Sequence, residues 1–297
     1  MTKLVIETDL YSDVDDVGAL AVAHHYADRG LAEILSIGIN TPSRYGYQAA
    51  RAVNAWYGRD VPVGILEPLD DSVFEKDYAK YLADRYGTTT TAPEAAVTTH
   101  RRVLAAAPDK AVTVVSLGFF CNLEGLLDSG PDGISALTGR QLIESKVGRL
   151  VAMAGTFPEG RQFNIAEKPH SARAVIEGWP TPIEFLGWEV GARVLTGTSI
   201  STRDDDVIGE AYSRYCGPGG SRESWDLLTV HLALEGVGRY YELSEPGRLL
   251  VDPTGHSTFV PDPAGLHRHV ALAVAPAQLE AELDRILEAT PTAWDLG

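Results

Sequence analysis

Residues 3–20 read KLVIETDLYSDVDDVGAL, and the fold follows from how this stretch divides. Lys3–Thr8 is a short run rich in β-branched and aliphatic residues, which predicts a strand. Asp16–Arg29 predicts a helix whose acidic opening suits the positive end of its dipole. At the junction, five of the ten residues 7–16 are carboxylates: Glu7, Asp9, Asp13, Asp15 and Asp16. Average composition would place only about one or two there. Helix capping explains part of the excess, with Asp13 as N-cap and Asp15 and Asp16 in the first turn. It does not explain four aspartates confined at one strand end, where they repel each other. A hard divalent cation would offset that repulsion: Ca²⁺ accepts about six to eight oxygens, whereas Mg²⁺ takes fewer and keeps more water. The residues alone leave three readings: a metal site, capping combined with metal-free binding of sugar hydroxyls, or a chance run.

Working outward, strand-length apolar runs alternate with amphipathic stretches. Strands are expected at Glu33–Ile39, Val61–Ile65, Val112–Leu117, Arg149–Met153 and Pro182–Leu186. Helices are expected at Ser43–Tyr57, Tyr78–Tyr86, Pro93–Ala107, from near Asn122, and near His170–Glu177. This order predicts an α/β fold with an open, mostly parallel sheet and helices on both faces. Ligands of such sheets bind at the carboxyl ends of the strands. The C-terminal third reads differently. Two helical segments flank Gly217–Gly220, a hairpin of Gly247–Val251 and Ser257–Val260 turns at Asp252-Pro253-Thr254-Gly255, and His267–Val274 and Pro276–Ala289 form a strand and a last helix. With no repeat or linker in view, residues 1–297 are read as a single domain.

The 297 residues are 44% hydrophobic, which excludes disorder as the main state. The longest apolar runs are far short of the roughly 20 residues of a membrane span. Aspartates interrupt the N-terminus where a signal peptide needs an apolar core, so a cytoplasmic location is expected. A formal charge of −16, from 25 Lys+Arg against 41 Asp+Glu, argues against binding nucleic acid through a basic face. Cys121 and Cys216 are too few for a disulfide framework or a cysteine-rich zinc site.

Thr8-Asp9 followed by Asp13-Val14-Asp15-Asp16-Val17-Gly18-Ala19-Leu20 resembles the N-terminal signature of the nucleoside hydrolases, in a variant with a longer loop ending Ser-Asp-Val-Asp-Asp. The resemblance continues in order. Asn40-Thr41 follows the second strand, Leu117–Asn122 resembles a Leu-Gly-Pro-Leu-Thr-Asn turn, and Met153-Ala154-Gly155 resembles Met-Gly-Gly. Gln162-Phe163-Asn164 resembles Glu-Phe-Asn, Gly187–Gly191 resembles Gly-x-Glu-x-Gly, and Ser224-Trp225-Asp226 resembles the segment carrying the last metal carboxylate.

The resemblance implies a Ca²⁺-dependent N-ribohydrolase, a homo-oligomer acting on a small-molecule nucleoside. The ion would be held by Asp9, Asp16, Asp226 and the backbone carbonyl of Cys121, where it would acidify a water and grip the ribose diol. Asp9 would be the general base, and Asp15 the second carboxylate facing the oxocarbenium-like sugar. Asp15 and Asn40 would bind ribose hydroxyls, and Gln162 and Asn164 the 5′ end. Asp13, Glu189 and Trp225 would complete the substrate contacts.

The sequence also departs from the family pattern. Glu7 replaces an aspartate, and Asp13 is extra. Gln162 replaces a glutamate, Ala154 a glycine and Cys121 a threonine. Trp225 stands where some members place a histidine that protonates the leaving base, and indole is no acid at neutral pH. These changes keep open a specialised ribosidase for a modified nucleoside, or a non-catalytic ribosyl-binding protein. Mg²⁺-dependent phosphoester chemistry is disfavoured, with no P-loop and no basic phosphate clamp in sight. Elsewhere, Tyr11, Tyr45, Tyr47, Trp188 and Trp225 are candidates for an aromatic base pocket, and Tyr240-Tyr241 for a lid. His24, His25 and His231 read as packing residues, and Arg101-Arg102 as a solvated helix face.

Overall fold

The computed structural model describes residues 1–11, 13–71, 78–87 and 92–294; Ser12 of the acidic loop lies outside them. The sheet is built around β1 (Thr2–Thr8), whose apolar run Leu4-Val5-Ile6 is buried on both faces. On one side β1 pairs in parallel with β2 (Ala32–Ile39), then β3 (Val63–Ile65) and β4 (Glu94–Ala95). On the other it pairs with β5 (Val112–Ser116), with Ile6 opposite both Ile37 and Val115. β6 (Val147–Met153) follows. The short β7 (Glu159–Arg161) lies at the far edge of the sheet, and β8 (Ile183–Leu186) is the next parallel neighbour of β6.

The helices fall into the expected gaps: α1 (Asp15–Asp28), α2 (Arg44–Trp56), α3 (Tyr78–Tyr86), α4 (Ala96–Ala106) and α5 (Cys121–Asp128). The expected helix at Pro93–Ala107 is shortened because Glu94 and Ala95 pair with Gly64 and Ile65 as an edge strand. A further helix, α6 (Gly139–Lys146), opens on a Thr138/Gln141 capping box. Short α7 (Phe163–Ala166), α8 (Pro169–Gly178) and short α9 (Trp188–Gly191) follow, then α10 (Val207–Cys216) and α11 (Trp225–Glu235).

The C-terminal part, expected as a hairpin, a strand and helices, joins the main sheet. A two-stranded ribbon of β9 (Leu195–Thr196) and β10 (Arg222–Glu223) precedes α11. Beyond it come β11 (Tyr241–Leu243), the hairpin β12 (Gly247–Val251) and β13 (His256–Pro261), and β14 (His267–Leu272). β14 continues the parallel series beside β8, and the hairpin extends the same sheet in antiparallel fashion until β13 meets β7. The last helix is α12 (Pro276–Leu287). β11 pairs with β14 and Tyr241 is fully buried, its hydroxyl 2.8 Å from His231 Nδ1, so this tyrosine is core and not a lid. Among the described residues, no helix is long and apolar enough to cross a membrane.

Two buried helices set up the site. α1 packs on α11, and Gly18 makes the contact possible. A methyl group there would lie 2.4 Å from the Tyr212 hydroxyl and 2.8 Å from Leu227 Cδ1. The N-terminus of α11 is thereby brought beside that of α1, at the carboxyl end of β1.

Candidate active site

Asp9 follows the last residue of β1, Asp15 and Asp16 open α1, and Asp226 sits in the first turn of α11. Carboxylate oxygens of Asp9, Asp16 and Asp226 all lie within 4.8 Å of one another, and all three residues are buried. Both helices direct their positive ends at this point, which favours negative charge there. Capping does not account for the arrangement. Val14 is the N-cap of α1 and Ser224 that of α11, and neither residue's side chain caps its own helix; the Ser224 hydroxyl pairs instead with Thr196 Oγ1 at 2.7 Å. Gly118, just past β5, presses on the cluster from the other side. A Cβ there would lie 2.5 Å from Asp9 Oδ1, so only glycine allows this approach.

The electrostatics favour a cation at this point. Burial pushes the Asp16 carboxyl well above the usual carboxylate range, and the charge of Asp9 pushes it further. Burial and then the charge of Asp15 do the same to Asp226; burial and then Asp13 do so to Asp15. Compensation within the protein is partial. Thr8 Oγ1 donates to Asp16 Oδ1, and the Asp226 N–H donates to Asp15 Oδ2 at 3.0 Å. Asp16 Oδ2 is buried with no hydrogen-bond partner. An orphaned carboxylate oxygen among converging carboxylates costs stability unless something positive fills the gap. The donor set is all hard oxygen, which fits Ca²⁺ or Mg²⁺ and not a soft metal.

Above the cluster opens a cavity of about 310 Å³. Of the residues expected at the site, Asp9, Asp13, Asp15, Gln162, Asn164, Trp225 and Asp226 line it, with Leu117, Met153, Phe163, Trp188 and Arg222. Asn164 Nδ2 donates to the carbonyls of Leu117 at 2.7 Å and Met153 at 3.0 Å, tying α7 to the ends of β5 and β6. Gln162 Nε2 reaches only the Met153 sulfur, and its buried Oε1 has no partner. Of the aromatic candidates, Trp188 and Trp225 line the cavity, joined by a 2.8 Å hydrogen bond from Trp225 Nε1 to the Trp188 carbonyl. Tyr11, Tyr45 and Tyr47 are not among its lining residues. Tyr11 instead takes a strained φ of 139° in the acidic loop, where the Tyr78 hydroxyl receives its N–H and donates to the Asp13 carbonyl.

Four expected residues are not among the lining: Asp16, which belongs to the carboxylate cluster, and Asn40, Glu189 and Cys121. The Asn40 amide is engaged twice: Nδ2 donates to Glu7 Oε2 at 3.2 Å, and Oδ1 accepts the Phe119 N–H at 3.0 Å. Glu189 Oε2 accepts the Phe157 N–H at 3.3 Å, and burial raises its carboxyl above the usual range. Cys121 opens α5, and burial pushes its thiol up, consistent with an inert side chain.

Sequence reasoning missed Arg222. Its guanidinium grips Asp13 with Nε at 2.9 Å and Nη2 at 2.5 Å, places Nη1 2.8 Å from Glu223, and lies 5.1 Å from the Trp225 ring centroid. Burial works against its charge, but the bond to Asp13 more than offsets this and holds it firmly protonated. Asp13 is therefore an ion-pair partner and not a helix cap. Arg101 also departs from expectation. It is 2% exposed and binds Asp132 through Nε at 2.8 Å and Nη2 at 3.0 Å, while Arg102 alone faces solvent, paired with Glu94.

A model of the inosine-uridine preferring nucleoside hydrolase family matches residues 4–278. The chain belongs to this family. Nucleoside hydrolases are N-glycosyl hydrolases, and the fold agrees. The structure of an inosine-uridine preferring nucleoside hydrolase from Bacillus anthracis superposes with a TM-score of 0.73 at 17% identity, covering 97% of this chain and 99% of that one. A purine-preferring ribonucleoside hydrolase from Gardnerella vaginalis gives 0.70 at 19% identity, over 96% and 98%. The type III effector protein XopQ, solved in complex with adenosine diphosphate ribose, gives 0.73 at 17% identity, over 98% and 94%. No curated protein sequence matches the chain.

Proposed function

We propose that this nucleoside hydrolase cleaves the N-ribosidic bond of a nucleoside with Ca²⁺ as its cofactor and Asp9 as general base. The observation that carries the reading is the convergence of Asp9, Asp16 and Asp226, with a partnerless Asp16 oxygen, beneath a nucleoside-sized cavity. These three carboxylates would hold the ion, together with the backbone carbonyl of Cys121. When bound, a divalent cation there supplies a Lewis acid for water and a template for a cis-diol.

The protein's own groups do the rest. Asp9 lines the cavity and takes the proton of the attacking water. Asp15 is oriented by the Asp226 N–H and faces the positive charge that develops on the sugar. Gln162 Oε1 is a buried acceptor that a 5′-hydroxyl would satisfy, and Asn164, both of whose donors hold backbone carbonyls, offers its own oxygen beside it. Asn40 contributes by fixing the Phe119 backbone, and Glu189 by fixing Phe157 next to the Trp188 wall. Trp188 and Trp225 supply flat surface for a base. The reading includes a cytoplasmic location and, implied by the family resemblance, a homo-oligomer.

The test is ribose release from a panel of purine and pyrimidine nucleosides by pure protein, with and without a chelator. Turnover that chelation abolishes and Ca²⁺ restores is expected. Calorimetric binding of a nucleoside with no ribose released from any panel member would replace the catalytic reading with a binding one.

A further inference from the structure

Two departures seen in the sequence meet in space. Asp13 is extra to the shorter loop, and position 225 lacks the histidine that would protonate a leaving base. Arg222 connects them: its guanidinium is clamped by Asp13 and lies over the Trp225 ring. We propose that Arg222 is the leaving-group catalyst of this enzyme, with Asp13 as its positioning residue. The proposal rests on the hydrolase reading above.

The chemistry requires such a group. When the C1′–N bond breaks, its electron pair stays on the base nitrogen. Water oxygen bonds to C1′, the water proton passes to a carboxylate, and the base later takes a proton from solvent. A neutral base departing this way needs a proton or a fixed positive charge at the moment of cleavage. Among the described residues lining the cavity, Arg222 is the only cation, and none is His, Lys, Tyr or Cys.

The geometry suits the task. A guanidinium carries five N–H groups. Nε and one Nη2 proton serve Asp13, and one Nη1 proton serves Glu223. One N–H on each terminal nitrogen is left for the acceptor edge of a planar base. The clamp fixes the guanidinium plane before substrate arrives, which is what makes such donors effective. Arginine does not release its proton near neutrality, so the contribution is electrostatic and independent of pH.

The experiment compares two leaving groups. Steady-state rates of the parent, Arg222→Gln and Arg222→Lys are measured on inosine and on 4-nitrophenyl β-ribofuranoside, whose nitrophenolate departs as a stable anion. For Arg222→Gln, we expect kcat on inosine to fall by roughly 100-fold or more, with a loss under about tenfold on the nitrophenyl riboside. Arg222→Lys, which keeps charge without the fork, falls between. Guanidinium ion restores part of the inosine rate of Arg222→Gln, and the parent-to-variant ratio stays flat across neutral pH. Asp13→Asn shows the same selective loss, smaller in size. Equal losses on both substrates, in variants whose thermal unfolding matches the parent, would overturn the proposal and leave Arg222 as a structural tie. If Arg222→Gln does not fold, Arg222→Lys and Asp13→Asn decide by the same comparison. A parent that cleaves neither substrate would instead remove the hydrolase reading, and this proposal with it.

Discussion

Glu7 near the end of β1 and Asp9 just past it stand two residues apart, yet the buried acid of the first and the cluster that the second forms with Asp16 and Asp226 are treated in opposite ways. Glu7 is fully buried, yet protein groups surround it. His100 Nε2 lies 2.5 Å from Oε1, Asn122 Nδ2 donates at 3.0 Å and Asn40 Nδ2 at 3.2 Å to Oε2, and His100 Nδ1 passes the chain on to Ser36 at 2.9 Å. Gly38 makes room, since a Cβ there would collide with both Glu7 and His100. Asp9, Asp16 and Asp226 face one another instead, and one oxygen of Asp16 has no partner. A buried acid supplied with donors is architecture. Buried acids supplied mainly with each other leave a place for a cation.

Substitutions should separate the two sets. Asp226→Ala removes a carboxylate that the chemistry needs, so nucleoside hydrolysis should fall by about a thousandfold or more. Ribose-release assays check it; a loss of tenfold or less would put Asp226 outside the working set. In the same assays Glu7→Gln should retain far more activity. Stability should reverse the order. With chelator present, Glu7→Ala strands His100, Asn40 and Asn122 and should cost about 3 kcal/mol in denaturant unfolding, whereas Asp16→Asn relieves repulsion and should raise the unfolding midpoint. Equal destabilisation by both would erase the distinction.

A third kind of burial gives a smaller, pH-dependent effect. His24 is enclosed with Nε2 2.9 Å from Asn54 Oδ1, and burial holds its pKa down to about 4 against an ordinary 6.5. Below 6.5 the unfolded chain takes a proton that the folded protein refuses until about 4. The stability is therefore complete above the unfolded value and drains away as pH falls towards the folded one, by about 2 kcal/mol at roughly pH 5. Parent and His24→Gln unfolding midpoints should diverge between neutral and acid pH, with the parent falling faster. Parallel curves would show that His24 is not held neutral.

The parts of the molecule that were legible in the sequence are those whose cause is local. Alternating strand and helix patterns pointed to the parallel sheet, and the density of acids after β1 pointed to the candidate site. Asp226 was reached through the ordered family motifs, because nothing near residue 226 announces a partner at residue 9. Contacts made by single residues across long separations were not legible. Arg222 and Asp13 are 209 positions apart, and Glu7 and His100 are 93 apart. Arg101 and Arg102 read as one charged pair, but successive helical residues point about 100° apart, so one is buried and the other solvated. The C-terminal hairpin was legible as a hairpin but its place in the sheet was not, because β14, which joins it to β8, is separated from that strand by the whole α9–α11 region.

The claim on which the rest depends is that Asp9, Asp16 and Asp226 share one divalent ion. Calorimetric titration of chelator-treated protein with Ca²⁺ tests it most directly. The account predicts a single site per chain in the parent, lost in Asp226→Asn and retained in Glu7→Gln. Binding that survives unchanged in Asp226→Asn would contradict it.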